Sequence, residues 1–264
     1  MSKQKLETAF QKIQDEGHKA FVPYIMAGDG GVDQLEEQVL LLEKSGAAAV
    51  EVGVPFSDPV ADGPTIQAAG KRALENGTTL TDILHELERF KETRKIPIVM
   101  MMYINSIYAY GIDDFAQACA KAGVDGLIIP DLPLEEEILV TGALERYEIA
   151  LIRLVSLTSP AARQQEIAAR TEGFLYAVTV TGTTGARTSY HTEIGQYLQQ
   201  LKQMTATPVL AGFGVSTPEQ VRMLSNYCDG VVVGSKIVEL LHQDEREQIK
   251  ELIAAAKKSN LPIL

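Results

Sequence analysis

The sequence predicts an α/β fold, a (β/α)₈ barrel with one extra helix at its N-terminus. Three observations predict it. Short apolar runs alternate with longer amphipathic ones from end to end, and eight such pairs occur. The apolar runs are nearly continuous, as in parallel strands buried on both faces under helices. The chain has 264 residues, close to the roughly 250 typical of such a barrel. An open doubly wound sheet would carry a G-x-G-x-x-G turn after its first strand. Here that turn reads Ala27-Gly28-Asp29-Gly30-Gly31, which does not fit. No linker, low-complexity tract or shift of composition interrupts the pattern, so residues 1–264 read as a single domain.

In chain order, residues 1–15 form an amphipathic helical pattern with no apolar signal-peptide core, suited to plug the lower end of the barrel. Strands are expected at 21–26, 48–52, 97–102, 126–129, 150–155, 174–178, 208–211 and 230–233. Helical patterns lie between them at 32–44, 65–74, 79–90, 113–122, 134–147, 161–170, 193–204 and 218–224, and the last at 245–258. A further helix opens directly after Gly234-Ser235-Lys236.

Composition narrows the partners. Hydrophobic residues make up 45% of the chain, enough to fill a core of this size, and the formal net charge is −11. That charge argues against nucleic acid or an acidic membrane surface. A phosphate would have to be held by local backbone donors. The two cysteines, Cys119 and Cys228, lack metal-ligand spacing and sit among apolar residues, as thiols in a reducing cytoplasm do. No apolar stretch approaches the roughly 20 residues of a membrane span. A cytoplasmic protein is expected.

The most informative segment runs Val50-Glu51-Val52-Gly53-Val54-Pro55-Phe56-Ser57-Asp58-Pro59-Val60-Ala61-Asp62-Gly63-Pro64. Side chains alternate across a strand, so Glu51 faces away from Val50 and Val52. A glutamate at the end of a buried strand is costly unless paired, neutralised or needed for chemistry. Asp62 has two readings: a second reactive carboxylate, or the starter of the helix that follows. Asp131, in Pro130-Asp131-Leu132-Pro133, reads as a strand-end carboxylate or a turn residue; Tyr103 and Tyr176 stand at other strand ends.

In barrels of this kind the active site forms at the C-terminal ends of the strands, and phosphate binds the loops after the last two. Here those loops are Gly212-Phe213-Gly214-Val215-Ser216 and Gly234-Ser235-Lys236. Glycines let the backbone approach an anion, and free N–H groups at a helix start donate to it. A Schiff-base aldolase would need a lysine at a strand end, and only Lys236 comes near that requirement. Metal chemistry would need clustered ligands, whereas His18, His85, His191 and His242 are scattered. No metal is expected. Carboxylate acid–base chemistry by Glu51 and Asp62 is what is left.

The run from Phe56 to Gln67, Phe-Ser-Asp-Pro-Val-Ala-Asp-Gly-Pro-Thr-Ile-Gln, resembles the signature of the tryptophan synthase alpha subunit family. The likeness continues, in order, through Phe21-Val22-Pro23-Tyr24, Met102-Tyr103-Ile104-Asn105, Pro130-Asp131-Leu132-Pro133, Thr183-Thr184-Gly185-Ala186-Arg187, Gly212-Phe213-Gly214 and Gly234-Ser235. The resemblance implies a (β/α)₈ barrel that cleaves indole-3-glycerol phosphate to indole and glyceraldehyde 3-phosphate. It also implies a partner, a beta subunit carrying pyridoxal phosphate, in an alpha2beta2 heterotetramer, with no cofactor in this chain. The family's catalytic pair falls on Glu51 and Asp62. The substrate-binding set falls on Tyr176, Thr184, Gly185, Gly212, Phe213, Gly214, Gly234 and Ser235, with Thr184 in a moving loop at 179–189.

The chemistry agrees with the likeness. Breaking a carbon–carbon bond at indole C3 needs that carbon protonated first, and Asp62 facing the indole N–H would stabilise the resulting cation. Glu51 would supply that proton and accept one from the glycerol hydroxyl. Met101, Leu127, Leu154 and Phe213 are either indole walls or ordinary core. The 55–59 segment is the expected docking face for the partner, and Asp58 reads either as a charged contact there or as the start of a simple Asp-Pro turn. Two other readings share the phosphate loops or the barrel: another phosphosugar enzyme, such as an isomerase or an indole-glycerol-phosphate-forming synthase, and a non-catalytic barrel that activates a partner.

Overall fold

The computed structural model describes residues 2–178, 187–212 and 214–257. Its strands are β1 (Ala20–Met26), β2 (Val50–Gly53), β3 (Ile98–Met101), β4 (Gly126–Ile128), β5 (Ala150–Leu151), β6 (Arg153–Ser156), β7 (Leu175–Val178), β8 (Val209–Gly212) and β9 (Gly230–Val233). They form one parallel sheet in the order β5-β4-β3-β2-β1-β9-β8-β7-β6. The two ends of that order, β5 and β6, are joined by the single residue Ile152, so the ring closes into a barrel. The fifth expected strand is therefore present but broken. Its first half pairs with β4 and its second with β7, while the Ile152 N–H donates to the Leu127 carbonyl at 2.9 Å.

Alternation along the strands sorts the core into two shells. Phe21, Ile25, Val50, Val52, Ile98 and Met100 face outward and pack under the helices. Val22, Ala49, Val99, Ile128, Phe174 and Leu210 face inward and fill the lumen. The N-terminal helix, Ser2–Asp15, plugs the lower end as the sequence suggests. Its Leu6 and Phe10 belong to the inner cluster, and Phe10 lies 5.5 Å from Phe174 between ring centroids. The same parity decides between the two readings of Leu127. It faces the helices, whereas its neighbour Ile128 enters the lumen, so Leu127 is core and no wall of the site.

Several helices differ from their expected bounds. The pattern at 134–147 becomes a helix only over Ile138–Arg146. Pro130 and Pro133 hold the chain in turns before it, with Glu136 N–H bonded to the Pro133 carbonyl at 2.9 Å. Glu137 instead sends its side chain to Arg153 at 2.7 Å and Arg170 at 2.8 Å. The first turn at 32–34 is 3₁₀, followed by the helix Leu35–Ser45. A short helix, Ile104–Tyr110, follows β3 without having been anticipated. The helix at 193–204 begins earlier, spanning Arg187–Met204. Among the described residues no helix is long and apolar enough to cross a membrane.

Candidate active site

Glu51 occupies the inward position of β2, in register with Tyr24 on one side and Val99 on the other. The flanking Val50 and Val52 turn outward, which leaves the carboxylate alone in the lumen. It is only 1% exposed. Neither oxygen has a hydrogen-bond partner among the described residues. Burial, reinforced by the nearby Asp62 charge, pushes its pKa up to about 8. Near neutrality Glu51 is therefore largely a neutral acid, able to give up a proton or take one back.

Asp62 reaches the same space from the loop after β2. The helix-starting reading fails here. The residue in the cap position of helix Pro64–Glu75 is Gly63, with no side-chain cap at all. The Asp62 backbone carbonyl accepts from Gln67 Nε2 at 2.9 Å, but its carboxylate is left for other use. Burial raises its pKa, and the Tyr103 hydroxyl pulls it back towards the charged form. Asp131 takes the structural alternative, accepting the Ile104 N–H at 3.0 Å.

These two carboxylates open onto a cavity of about 300 Å³ at the C-terminal ends of the strands. Tyr176, Gly212, Gly214, Gly234 and Ser235 line it as well, so the substrate-binding residues that are described converge with Glu51 and Asp62. Gly234 is the cap residue of helix Ser235–His242 and borders the cavity; N–H groups at a helix start are donors suited to an anion. Lys236 also borders the cavity and pairs with Glu239 at 3.1 Å. A second cavity of about 520 Å³ adjoins through Ala61, Met101, Tyr176 and Gly212. Met101, Ile129 and Leu154 give it apolar walls. Thr184, Gly185 and Phe213 lie outside the described residues, as does most of the loop at 179–189.

One lining residue carried no expected role in the sequence beyond its place in a family motif. Tyr24 is buried, its ring stands over Gly53, and it borders the same cavity as the two carboxylates. Inward parity with Val22 was the available signal. Its phenol is pushed well above the usual tyrosine range by burial and by Asp62 and Glu51. Among the described residues no cluster of His, Cys, Asp or Glu is placed to hold a metal. Cys119 and Cys228 are both buried free thiols.

The family model described as tryptophan synthase alpha chain matches residues 10–261. A tryptophan synthase alpha chain from Oceanobacillus iheyensis is 53% identical over 253 residues, 96% of this chain and 97% of that one. One from Bacillus cereus is 50% identical over 258 residues, 98% of each chain. Among solved structures, the tryptophan synthase alpha subunit of Legionella pneumophila is 32% identical. It superposes with a TM-score of 0.87, covering 96% of this chain and 98% of that chain. A tryptophan synthase structure from Mycobacterium tuberculosis gives 33% identity and a TM-score of 0.88 over 96% and 98%.

Proposed function

The chain belongs to the tryptophan synthase alpha chain family, and from that premise we propose how its barrel, acting as one domain, cleaves indole-3-glycerol phosphate into indole and glyceraldehyde 3-phosphate. The observation that carries the mechanism is Glu51, a carboxyl without a hydrogen-bond partner, held neutral on the wall of the cavity that the glycine turns line. Glu51 protonates indole C3, which makes the ring an indolenine-like cation. Asp62 faces the indole N–H and stabilises that positive charge as it develops. The glycerol hydroxyl next to the breaking bond then loses its proton to Glu51. Its oxygen becomes the aldehyde carbonyl, and the bonding pair returns to the indole ring.

The glycine turns at Gly212, Gly214 and Gly234, with Ser235, hold the phosphate through backbone and hydroxyl donors. That is how an acidic chain binds an anion. Met101 and the Tyr176 ring, at the junction of the two cavities, receive the indole, with Leu154 on the wall of the larger one. Thr184, Gly185 and Phe213 complete the set by resemblance. The family works with a beta subunit. We place this chain in an alpha2beta2 heterotetramer in the cytoplasm, where indole passes to the beta subunit and its pyridoxal phosphate chemistry. No cofactor is assigned to this chain. The test is indole release from indole-3-glycerol phosphate, with and without a beta subunit. Release that rises on adding the partner and is lost in Glu51→Gln supports the reading. Undiminished release by Glu51→Gln overturns it.

A further inference from the structure

Tyr103 follows β3 and holds the cap position of helix Ile104–Tyr110, yet its side chain makes no cap bond. It crosses instead to the loop after β2 and is only 4% exposed. Its ring stacks on Phe56, centroids 5.0 Å apart and planes 24° from parallel. Its hydroxyl accepts the Ala61 N–H at 2.9 Å, at the residue next to Asp62, and keeps its own hydrogen to offer to that carboxylate, whose charged form it favours. One ring therefore grips the loop at both ends, at Phe56 and at Ala61-Asp62. Between those grips Ser57, Asp58 and Val60 are exposed and contribute little burial. The turn that carries Tyr103 is anchored in its turn by the bond from Ile104 N–H to Asp131.

We propose that Tyr103 is the positioning residue for Asp62, joining the loops after β2, β3 and β4 so that the aspartate stays aimed into the cavity. The proposal rests on the assignment of Asp62 above and extends it to a residue outside the reacting atoms. A small displacement of an oriented catalytic group is expensive in rate, and a loop with so little buried surface does not hold such a group unaided.

Tyr103→Phe keeps the ring and its stack on Phe56 and removes only the hydroxyl. In the complex with a beta subunit, this variant should lower kcat by about ten-fold, the loss of one charge-assisted hydrogen bond. Binding of an indole-propanol phosphate analogue should change by less than about two-fold. The pH profile gives a second readout. Asp62 is faced by Glu51 from β2, Tyr24 from β1 and Tyr103 from the end of β3, and Asp131 faces Tyr103; Lys236 and Glu239 border the same cavity. Of these, the Tyr103 hydroxyl favours the ionised aspartate, so its loss should move the acidic limb of kcat/KM to higher pH. In an Asp62→Asn background, Tyr103→Phe should cost nothing further. Full activity of Tyr103→Phe beside a crippled Asp62→Asn overturns the positioning role alone, as does an equal loss in both backgrounds. Full activity of Asp62→Asn removes the assignment on which the proposal stands.

Discussion

The Tyr176 ring occupies the space that a side chain at Gly212 would need. A Cβ built at Gly212 falls 2.3 Å from Tyr176 Cε1. Glycine at this turn therefore makes room for the tyrosine, apart from the phosphate contact proposed for it. The same relation recurs across the barrel mouth, where a Cβ at Gly53 would lie 1.9 Å from the Tyr24 hydroxyl oxygen. Two aromatic rings stand in the site because two strand ends lack side chains. Gly212→Ala should displace Tyr176, lowering stability by roughly 1–3 kcal/mol through overpacking. In a Tyr176→Ala background most of that penalty should vanish. Urea denaturation of the four proteins checks it, and an unchanged penalty in the double variant counts against the relation.

Glu51→Gln should reduce lyase turnover by roughly 10²–10⁴-fold, the usual contribution of a positioned acid–base group. Retention of more than about a tenth of native turnover would remove Glu51 from its role. The same variant carries a stability signature. The folded pKa, about 8, lies above the unfolded value of 4.5, so the native state holds its proton longer. The native protein must then lose stability as pH rises from about 4.5 to about 8, and Gln, which does not titrate, escapes that loss. Relative to the native chain, the variant should gain on the order of 3 kcal/mol between pH 4.5 and 7. Parallel stability curves for the two proteins would contradict a buried, unpaired carboxyl.

Gly234 separates shape from charge. A Cβ there meets Tyr24 Cβ at 3.7 Å, an ordinary contact, so Gly234→Ala should fold and bind substrate nearly normally. Gly234→Asp sets a negative charge beside the phosphate and should raise KM by roughly ten-fold or more. Ser235→Ala should cost about 1.5–3 kcal/mol of binding, one charge-assisted hydrogen bond. A crystal soaked with phosphate should show the ion at these turns. An ion found reproducibly elsewhere would defeat the phosphate assignment.

The lower plug should matter for stability and leave the chemistry alone. Leu6 is 0% exposed and lies in the lumen cluster. Leu6→Ala should destabilise the barrel by about 2–5 kcal/mol, the transfer term plus the cavity. Turnover at a temperature where the variant stays folded should be native-like. A selective loss of turnover in a stably folded variant would show that the plug reaches the site.

The barrel, its N-terminal plug and the carboxylate on β2 were legible in the sequence, because each is written in short-range pattern. Continuous apolar runs mark parallel strands, the period-two alternation singles out Glu51, and glycines after the last two strands mark turns that line the cavity. Parity at Leu127 was equally local, but an apolar residue looks the same whether it faces lumen or helix. The break of the fifth strand at Ile152 was not legible, since each half answers to a different neighbour far away in sequence. Asp62 was ambiguous because an aspartate before Gly-Pro serves a helix start as readily as a site. Only the folded loop, with Gly63 in the cap position and Tyr103 holding Ala61, turns that carboxylate into the cavity. Sequence alone determined which side chains alternate inward and where the chain turns. The tertiary structure decided which distant loops meet, because such contacts depend on long-range closure that no local pattern records.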